Sequence, residues 1–319
     1  MTVMPMTVVL VSDRRTLPVP DGLDGLRLDA AVARLFGLSR TTAAGIADAG
    51  EVSVDGTPRG RSDRVRAGSL LEILLPAPPV AAVRVPAVVA GLRIEYEDDD
   101  IIVVDKPAGV ASHPSPGYEG LTVVGGLIAA GHRVSTSGAA ERQGVVHRLD
   151  VGTSGLMVVA KSEHAYTALK AAFRDRRVDK CYHTVVQGLI DPTRGTIDAP
   201  IDRHPTHPYK FAVVAAGKAS VTHYELLEAC RAGCLLEVRL ETGRTHQIRV
   251  HMAAMRHPCV GDGQYGADPT LSARLRLTRQ WLHAVALAFD HPRDGRRIAF
   301  DSGYPQDLAE ALDLMRAES

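Results

Sequence analysis

An α+β fold in two parts is what this sequence of 319 residues predicts. Three observations predict it. Apolar, strand-like runs at 101–104, 156–159, 181–186 and 235–240 are mixed with helical patterns, without a steady β-α-β rhythm. A stretch rich in Pro, Ala and Val at 77–91 separates a small amino-terminal part from a larger second one. A hydrophobic fraction of 45% with 23% charged residues belongs to a globular chain long enough to bury a core, and excludes global disorder.

The first part spans 23–76. Leu28, Ala31, Val32 and Leu35 recur at helical spacing, and Gly37 stands where such a helix ends. Ser39 is placed to cap a second short helix through Ile46, closed near Gly50. Val52 and Val54 alternate ahead of Asp55-Gly56, a hairpin turn signal, and 70–75 reads as a closing strand. Residues 77–91 carry a single charge and read as a semi-rigid linker. The second part, 92–310, opens with Ile94, Tyr96 and an acidic turn (Asp98, Asp99, Asp100), then the 101–104 strand and Lys106-Pro107-Ala108-Gly109. Ser162 is placed to cap a helix over 165–173. No internal repeat is visible.

Basic and acidic residues balance at 37 each. That excludes a uniformly cationic surface but not a local basic face. Arginines outnumber lysines 31 to 6, a skew that GC-rich codon usage explains without invoking function. No apolar run reaches the roughly 18 residues of a membrane-spanning helix. The amino terminus lacks a basic start before its short apolar run, so no signal peptide is expected. Four cysteines (Cys181, Cys230, Cys234, Cys259) do not suggest a disulfide framework. A cytoplasmic protein without membrane partners is the expectation.

Two polar segments next to apolar strands concentrate the chemistry: His147-Arg148-Leu149-Asp150-Val151-Gly152-Thr153-Ser154-Gly155-Leu156 and Gly243-Arg244-Thr245-His246-Gln247-Ile248-Arg249-Val250-His251-Met252. His147, Asp150 and Ser154 could suggest a hydrolase triad, but no G-x-S-x-G elbow is present. His246, His251, His257 and Cys259 could suggest zinc, but their spacing fits none of the usual ligand patterns. No metal is expected.

Together the two segments resemble the RluA-type family of RNA pseudouridine synthases. The resemblance extends through Lys106 to Gly109, His113-Pro114, Tyr182, Arg203 to Thr206, Gly217-Lys218, Thr222 to Tyr224, the 257–266 stretch, Leu282-His283-Ala284 and Pro305. In the first part, Arg27-Leu28-Asp29, Ser39-Arg40, Ile46, Gly50, Val52, Val54 to Gly56, and Val65 with Gly68 resemble the RNA-binding domain named after the fourth ribosomal small-subunit protein. This sequence departs from the family at Val151-Gly152, where relatives carry polar or charged residues. It departs again at Tyr209 and Phe211, where basic residues are common.

The resemblance implies a synthase domain built on a mixed, mainly antiparallel sheet, with a small α/β RNA-binding module ahead of it. It implies an isomerase that converts uridine to pseudouridine in structured RNA, with Asp150, Tyr182 and Arg249 as catalytic residues. Asp150 attacks the anomeric carbon, adds to the ring or removes a sugar proton; the sequence does not choose among these. Burial pushes a carboxyl toward its neutral form, and a cation within about 4–6 Å opposes that push; the family assigns this cation to Arg249. Arg148 is the candidate to fill the place of an extruded base, and Ile248 the apolar wall opposite Tyr182. Substrate-binding residues are completed by His147, Thr153, Arg244 and His246. Arg27, Arg40, Arg59, Arg61, Arg64 and Arg66 of the small module are expected to meet RNA phosphates. Isomerisation involves no redox change and no group donor, so no cofactor is expected. Large-subunit ribosomal RNA is the expected partner and a monomer the expected state. Transfer RNA, or a non-catalytic role in RNA binding or ribosome assembly, is the alternative.

Overall fold

A computed structural model describes residues 13–38, 40–75, 87–115, 118–138, 142–207 and 209–317. The Ser39 cap and most of the expected linker lie outside the described residues. The chain divides into two units, 1–84 and 85–319.

In the first unit, α1 (Leu28–Phe36) ends as its sequence requires, with Gly37 in the left-handed region at φ 65°. Helix α2 (Arg40–Asp48) comes next, then β2 (Val52–Val54) and β3 (Thr57–Pro58). Asp55 and Gly56 both take positive φ, the two-residue turn that joins twisted antiparallel strands. Strand β4 (Leu70–Leu75) pairs with β2 on one side and with β1 (Asp13–Pro18) on the other. Strand β1 lies ahead of the expected start at 23; with Asp13, Arg14 and Arg15 leading it and its residues largely exposed, it carries no alternating apolar signal. Leu28, Ala31 and Val32 pack with Ile46, Leu71 and Ile73 to form this unit's core.

The second unit is built on a nine-stranded sheet. Its strands are β5 (Arg93–Glu97), β6 (Ile101–Lys106), β7 (Ser154–Ala160), β8 (Asp179–Gln187), β9 (Arg194–Asp198), β12 (Val221–Cys230), β13 (Gly233–Leu240), β14 (Leu282–Asp290) and β15 (Arg297–Asp301). The order is β5-β6-β7-β14-β8-β13-β12-β9, with β15 also paired to β14. A separate hairpin joins β10 (Ile201–Arg203) and β11 (Phe211–Val213). Helices are α3 (Val123–Ala129), α4 (Glu163–Arg174), α5 (Gln247–Ala254), α6 (Pro269–Arg274) and α7 (Gln306–Ala317). Helix α4 starts where Ser162 accepts the Ala165 N–H. Helix α7 runs past the expected end at 310 and buries Leu308, Ala311, Leu312 and Met315 at helical spacing. The indole of Trp281 packs in the same cluster and donates to the Leu308 carbonyl at 2.8 Å. All four cysteines are buried and free. Among the described residues no helix is long and apolar enough to cross a membrane.

One junction places the polar loop ahead of β7 against the middle of the sheet. Every strand pair of the sheet is antiparallel except β7 with β14, which run parallel and pair only through Ser154 with His283 and Gly155 with Ala284. Gly155 has φ +113°, and an added Cβ would stand 2.3 Å from the Ala284 carbonyl oxygen and 2.6 Å from its nitrogen. Only glycine allows that approach. Ala284 in turn faces Tyr182 of β8, so the junction brings the loop before β7 beside the middle of β8. Gly155→Ala is therefore expected to cost about 2–4 kcal/mol from backbone strain and overpacking. Denaturant unfolding checks this; an unchanged midpoint would contradict it.

Candidate active site

The 147–153 segment is fixed by its backbone before any of its side chains acts. Ser112 donates to the Leu149 carbonyl (3.0 Å) and accepts the Leu149 N–H (2.9 Å). The Lys106 ammonium, fully buried, reaches the carbonyls of Pro107 (2.9 Å), Val110 (2.7 Å) and Val151 (3.4 Å). Three carbonyl acceptors match the three protons of a charged lysine. Burial pulls Lys106 down to about 7, against the Asp150 charge that raises it. The Thr153 N–H closes a turn on the Asp150 carbonyl (3.0 Å), and the Thr153 hydroxyl accepts from Gln280 (3.2 Å). His147 accepts the Val158 N–H through Nε2 (3.0 Å) and stacks on Phe173. Burial, with the Lys180 charge adding to it, lowers this imidazole to about 3, so it is neutral at physiological pH.

Across the cavity, Gln247 ties the start of α5 to its surroundings. Its side-chain oxygen accepts from the Thr242 hydroxyl and the Arg244 N–H, and its amide donates to Thr222 and the Val221 carbonyl. This sets Arg249, two residues on. Its Nε and Nη2 donate to the two oxygens of Asp262 (2.6 and 2.9 Å), and Nη2 also to Gln264 (2.8 Å). The remaining nitrogen, Nη1, donates to Asp150 at 3.2 Å. The guanidinium lies over the Tyr265 ring, 4.8 Å from its centre. Side-chain exposure is 7% for Arg249, 14% for Asp150 and 2% for Asp262, so these charges meet largely away from water. Burial opposes the arginine's charge, but the Asp262 and Asp150 carboxylates outweigh it and raise Arg249 above its ordinary value.

Asp150, Tyr182 and Arg249 line one cavity of about 940 Å3, with Arg148, Ile248, His147, Thr153, Arg244 and His246 also on its wall. Tyr182 is buried, and its hydroxyl has no hydrogen-bond partner among the described residues. Burial first, then the Asp150 charge, pushes that hydroxyl well above the ordinary tyrosine value, so it is a neutral donor. His246 places Nε2 3.9 Å from Asp150 while Nδ1 meets the Tyr265 hydroxyl (2.8 Å); burial lowers it, against the pull of Asp150. Arg148 is exposed at the cavity wall, and Arg244 donates to the Ala219 carbonyl (3.2 Å).

The arginines of the small module divide differently. Arg27 and Arg40 both meet the buried carboxylate of Asp29, Arg61 meets Asp48, and Arg64 donates to the Gly25 carbonyl. Arg59 and Arg66 are exposed, and among the described residues no side-chain hydrogen bond or ion pair holds them.

Two other readings of the polar segments do not assemble. Ser154 meets His283 (2.9 Å), not His147, inside the buried β7–β14 junction. His251 is held by Thr222 and the Ala199 carbonyl, and His257 by the Gln187 carbonyl; with His246 and Cys259 they form no ligand group among the described residues. Sequence reasoning did not single out Asp262, Gln264, Tyr265 or Lys106 for the site. No local pattern marked Asp262: a buried guanidinium has more N–H donors than one carboxylate accepts, but the sequence does not say which acceptor completes the set.

Comparison with known proteins identifies the family of this chain. The sequence profile of the family described as RNA pseudouridylate synthase matches residues 100–254. An uncharacterized RNA pseudouridine synthase of Mycobacterium bovis is 60% identical over 304 residues, 95% of this chain and 99% of that protein. The ribosomal large subunit pseudouridine synthase D of Pseudomonas aeruginosa is 42% identical over 315 residues, 96% of this chain and 97% of that one. Among solved structures, the human RNA pseudouridylate synthase domain containing 1 is similar at TM-score 0.56 and 30% identity. That match covers 69% of this chain and 86% of that one.

Two measurements check the electrostatics. Asp262→Ala leaves a buried guanidinium short of its bidentate partner and is expected to cost about 3 kcal/mol in chemical denaturation; a loss below about 0.5 kcal/mol would show that Asp262 does not hold Arg249. For Lys106, the folded value of about 7 lies below the unfolded value of about 10.4. Between them the unfolded chain binds the extra proton, so the stability owed to this group rises with pH. The stability difference between wild type and Lys106→Met should shift toward wild type from about pH 7 to about pH 10. A flat or falling difference would contradict the assignment.

Proposed function

Because this chain belongs to the RNA pseudouridine synthases, we propose that Asp150 opens the bond between ribose and uracil N1 at a uridine of large-subunit ribosomal RNA. The observation that carries the reading is the Arg249 nitrogen 3.2 Å from the Asp150 carboxylate, facing a cavity that also holds the Tyr182 hydroxyl. The ribosomal substrate is supported by the relative named for the large subunit, which aligns over 96% of this chain. The protein works on that RNA in the cytoplasm.

The cavity, about 940 Å3, is at the upper end of small-ligand pockets, roughly 300–1,000 Å3, and takes an extruded nucleotide. Arg142, Arg148, Lys170, Arg174, Lys180 and Arg244 on its wall favour phosphates. The Arg148 guanidinium stands in for the displaced base. Tyr182 and Ile248 flank the uracil, and the Tyr182 hydroxyl donates to it. Asp150 acts on the ribose or the ring, the N1–C1′ bond breaks, and the ring turns to offer C5. A C5–C1′ bond forms, the C5 proton leaves and N1 gains one. Product and substrate are isomers, so the balance closes without a donor or an oxidant. In the small module, Arg59 and Arg66 meet phosphates, while Arg27, Arg40, Arg61 and Arg64 shape the surface that presents them.

Asp150→Asn should abolish tritium release from RNA carrying 5-tritiated uridine, with RNA affinity within a few fold; turnover by this variant would overturn the assignment. Arg249→Ala should slow release by about 100-fold or more, and an unchanged rate would mean that the pair is not used. Replacing both Arg59 and Arg66 with Ala should reduce the salt slope of RNA binding by about 1 for each lost phosphate contact; an unaltered slope would remove the module from the interface. Mapping pseudouridines with and without the protein tests the substrate: loss from large-subunit ribosomal RNA supports it, and loss confined to transfer RNA contradicts it.

A further inference from the structure

Strand β8 shows two chemistries on its two faces. Side chains alternate along a strand, so Tyr182 faces the active-site cavity while Cys181 and His183 face the other side. On that side Glu237 of β13 stands directly opposite His183. The thiol, the imidazole and the carboxylate lie within 4.8 Å of one another, the only such group among the described residues. They border a second cavity, about 570 Å3, together with Asp179, Asp301 and Tyr304.

We propose that Cys181, His183 and Glu237 bind one borderline-soft divalent ion of the zinc class, with its fourth coordination position open to the second cavity. Three features of the cluster support this. The Nδ1 of His183 pairs with the Tyr304 hydroxyl (2.5 Å), leaving Nε2 for an ion; ligand histidines are commonly anchored through their other nitrogen in this way. Arg239 holds one oxygen of Glu237 (2.8 Å), and the Cys181 thiol donates to the same carboxylate, a proton that a bound ion would replace. The sulfur, nitrogen and oxygen set suits zinc better than magnesium or calcium.

Tetrahedral zinc requires ligand atoms about 3.3–3.6 Å apart, so the group closes by about 1 Å through side-chain rotation. On binding, the Cys181 thiol loses its proton to solvent and a sulfur–metal bond forms; no electron is transferred. The ion would join β8 to β13 on both sides of Tyr182 in sequence. Spacing along the chain conceals this site, because Glu237 reaches it only through strand pairing.

The test uses the full-length protein, stripped with a chelator and titrated with Co2+ as a spectroscopic probe and with Zn2+ in competition. One equivalent of Co2+ should bind with a thiolate-to-cobalt charge-transfer band that Zn2+ erases, and Mg2+ should leave the band in place. Cys181→Ser should abolish the band. Glu237→Gln, at a partly exposed and more tolerant position, should weaken Zn2+ by more than about 100-fold, the upper end of the cost of losing a supporting contact. A wild-type protein without the band, or a band and affinity unchanged in Glu237→Gln, would overturn the proposal even if Cys181→Ser failed to fold. The readout is independent of RNA turnover, so it stands or falls apart from the assignment of Asp150.

Discussion

A single guanidinium serves two carboxylates, and the site depends on that sharing. Burying an arginine with one exposed partner is costly, because desolvation offsets most of the attraction. Here Asp262, almost without solvent contact, takes two of the three nitrogens in bidentate geometry and Gln264 adds a further acceptor. That arrangement settles the arginine's orientation before Asp150 is considered. The third nitrogen then has one direction available, and Asp150 lies along it. Asp262 is thus a positioning residue: it stays off the cavity wall and decides where the charge on the wall points.

The sheet supplies the rest of the geometry. Its short parallel contact between β7 and β14 is a place where two backbones come closer than side chains allow, and Gly155 permits it. The loop that ends in Asp150 leads into β7, and Tyr182 is reached from the same contact through Ala284. A polar loop would ordinarily be the mobile part of a site. Here Lys106, Ser112, Arg279 and Gln280 hold its backbone and the Thr153 hydroxyl, so the carboxylate sits on a loop that is held like a strand.

Much of this was legible in the sequence, for identifiable reasons. The ends of α1 and α4 follow from Gly37 and Ser162, local signals that tertiary context leaves intact. The mainly antiparallel α+β architecture followed from the mixed order of strand and helix patterns and from the resemblance to the synthases. Strand β1 was invisible because its residues are charged and exposed, so no periodicity marks them. Helix α5 was hidden in the 243–252 motif because every residue from Gln247 to Met252 is buried, so no amphipathic stripe marks it. Asp262, Tyr265 and the pairing of Glu237 with His183 are products of chain crossing rather than of local pattern, and no local spacing could give them. Four of the small-module arginines expected at phosphates also have partners within their own unit, Asp29 for Arg27 and Arg40, Asp48 for Arg61 and the Gly25 carbonyl for Arg64, contacts that charge alone does not reveal.

In the proposed mechanism Asp262 acts through Arg249, and Arg249 acts on Asp150. A double-mutant cycle on the turnover rate, with Arg249→Ala, Asp262→Ala and both together, tests that relay most directly at a temperature where all three proteins are folded. Groups that act as one unit predict a double variant no slower than Arg249→Ala alone. A double variant slowed by the product of the two single effects would mean that Asp262 and Arg249 contribute separately, and a shared guanidinium would not explain the site.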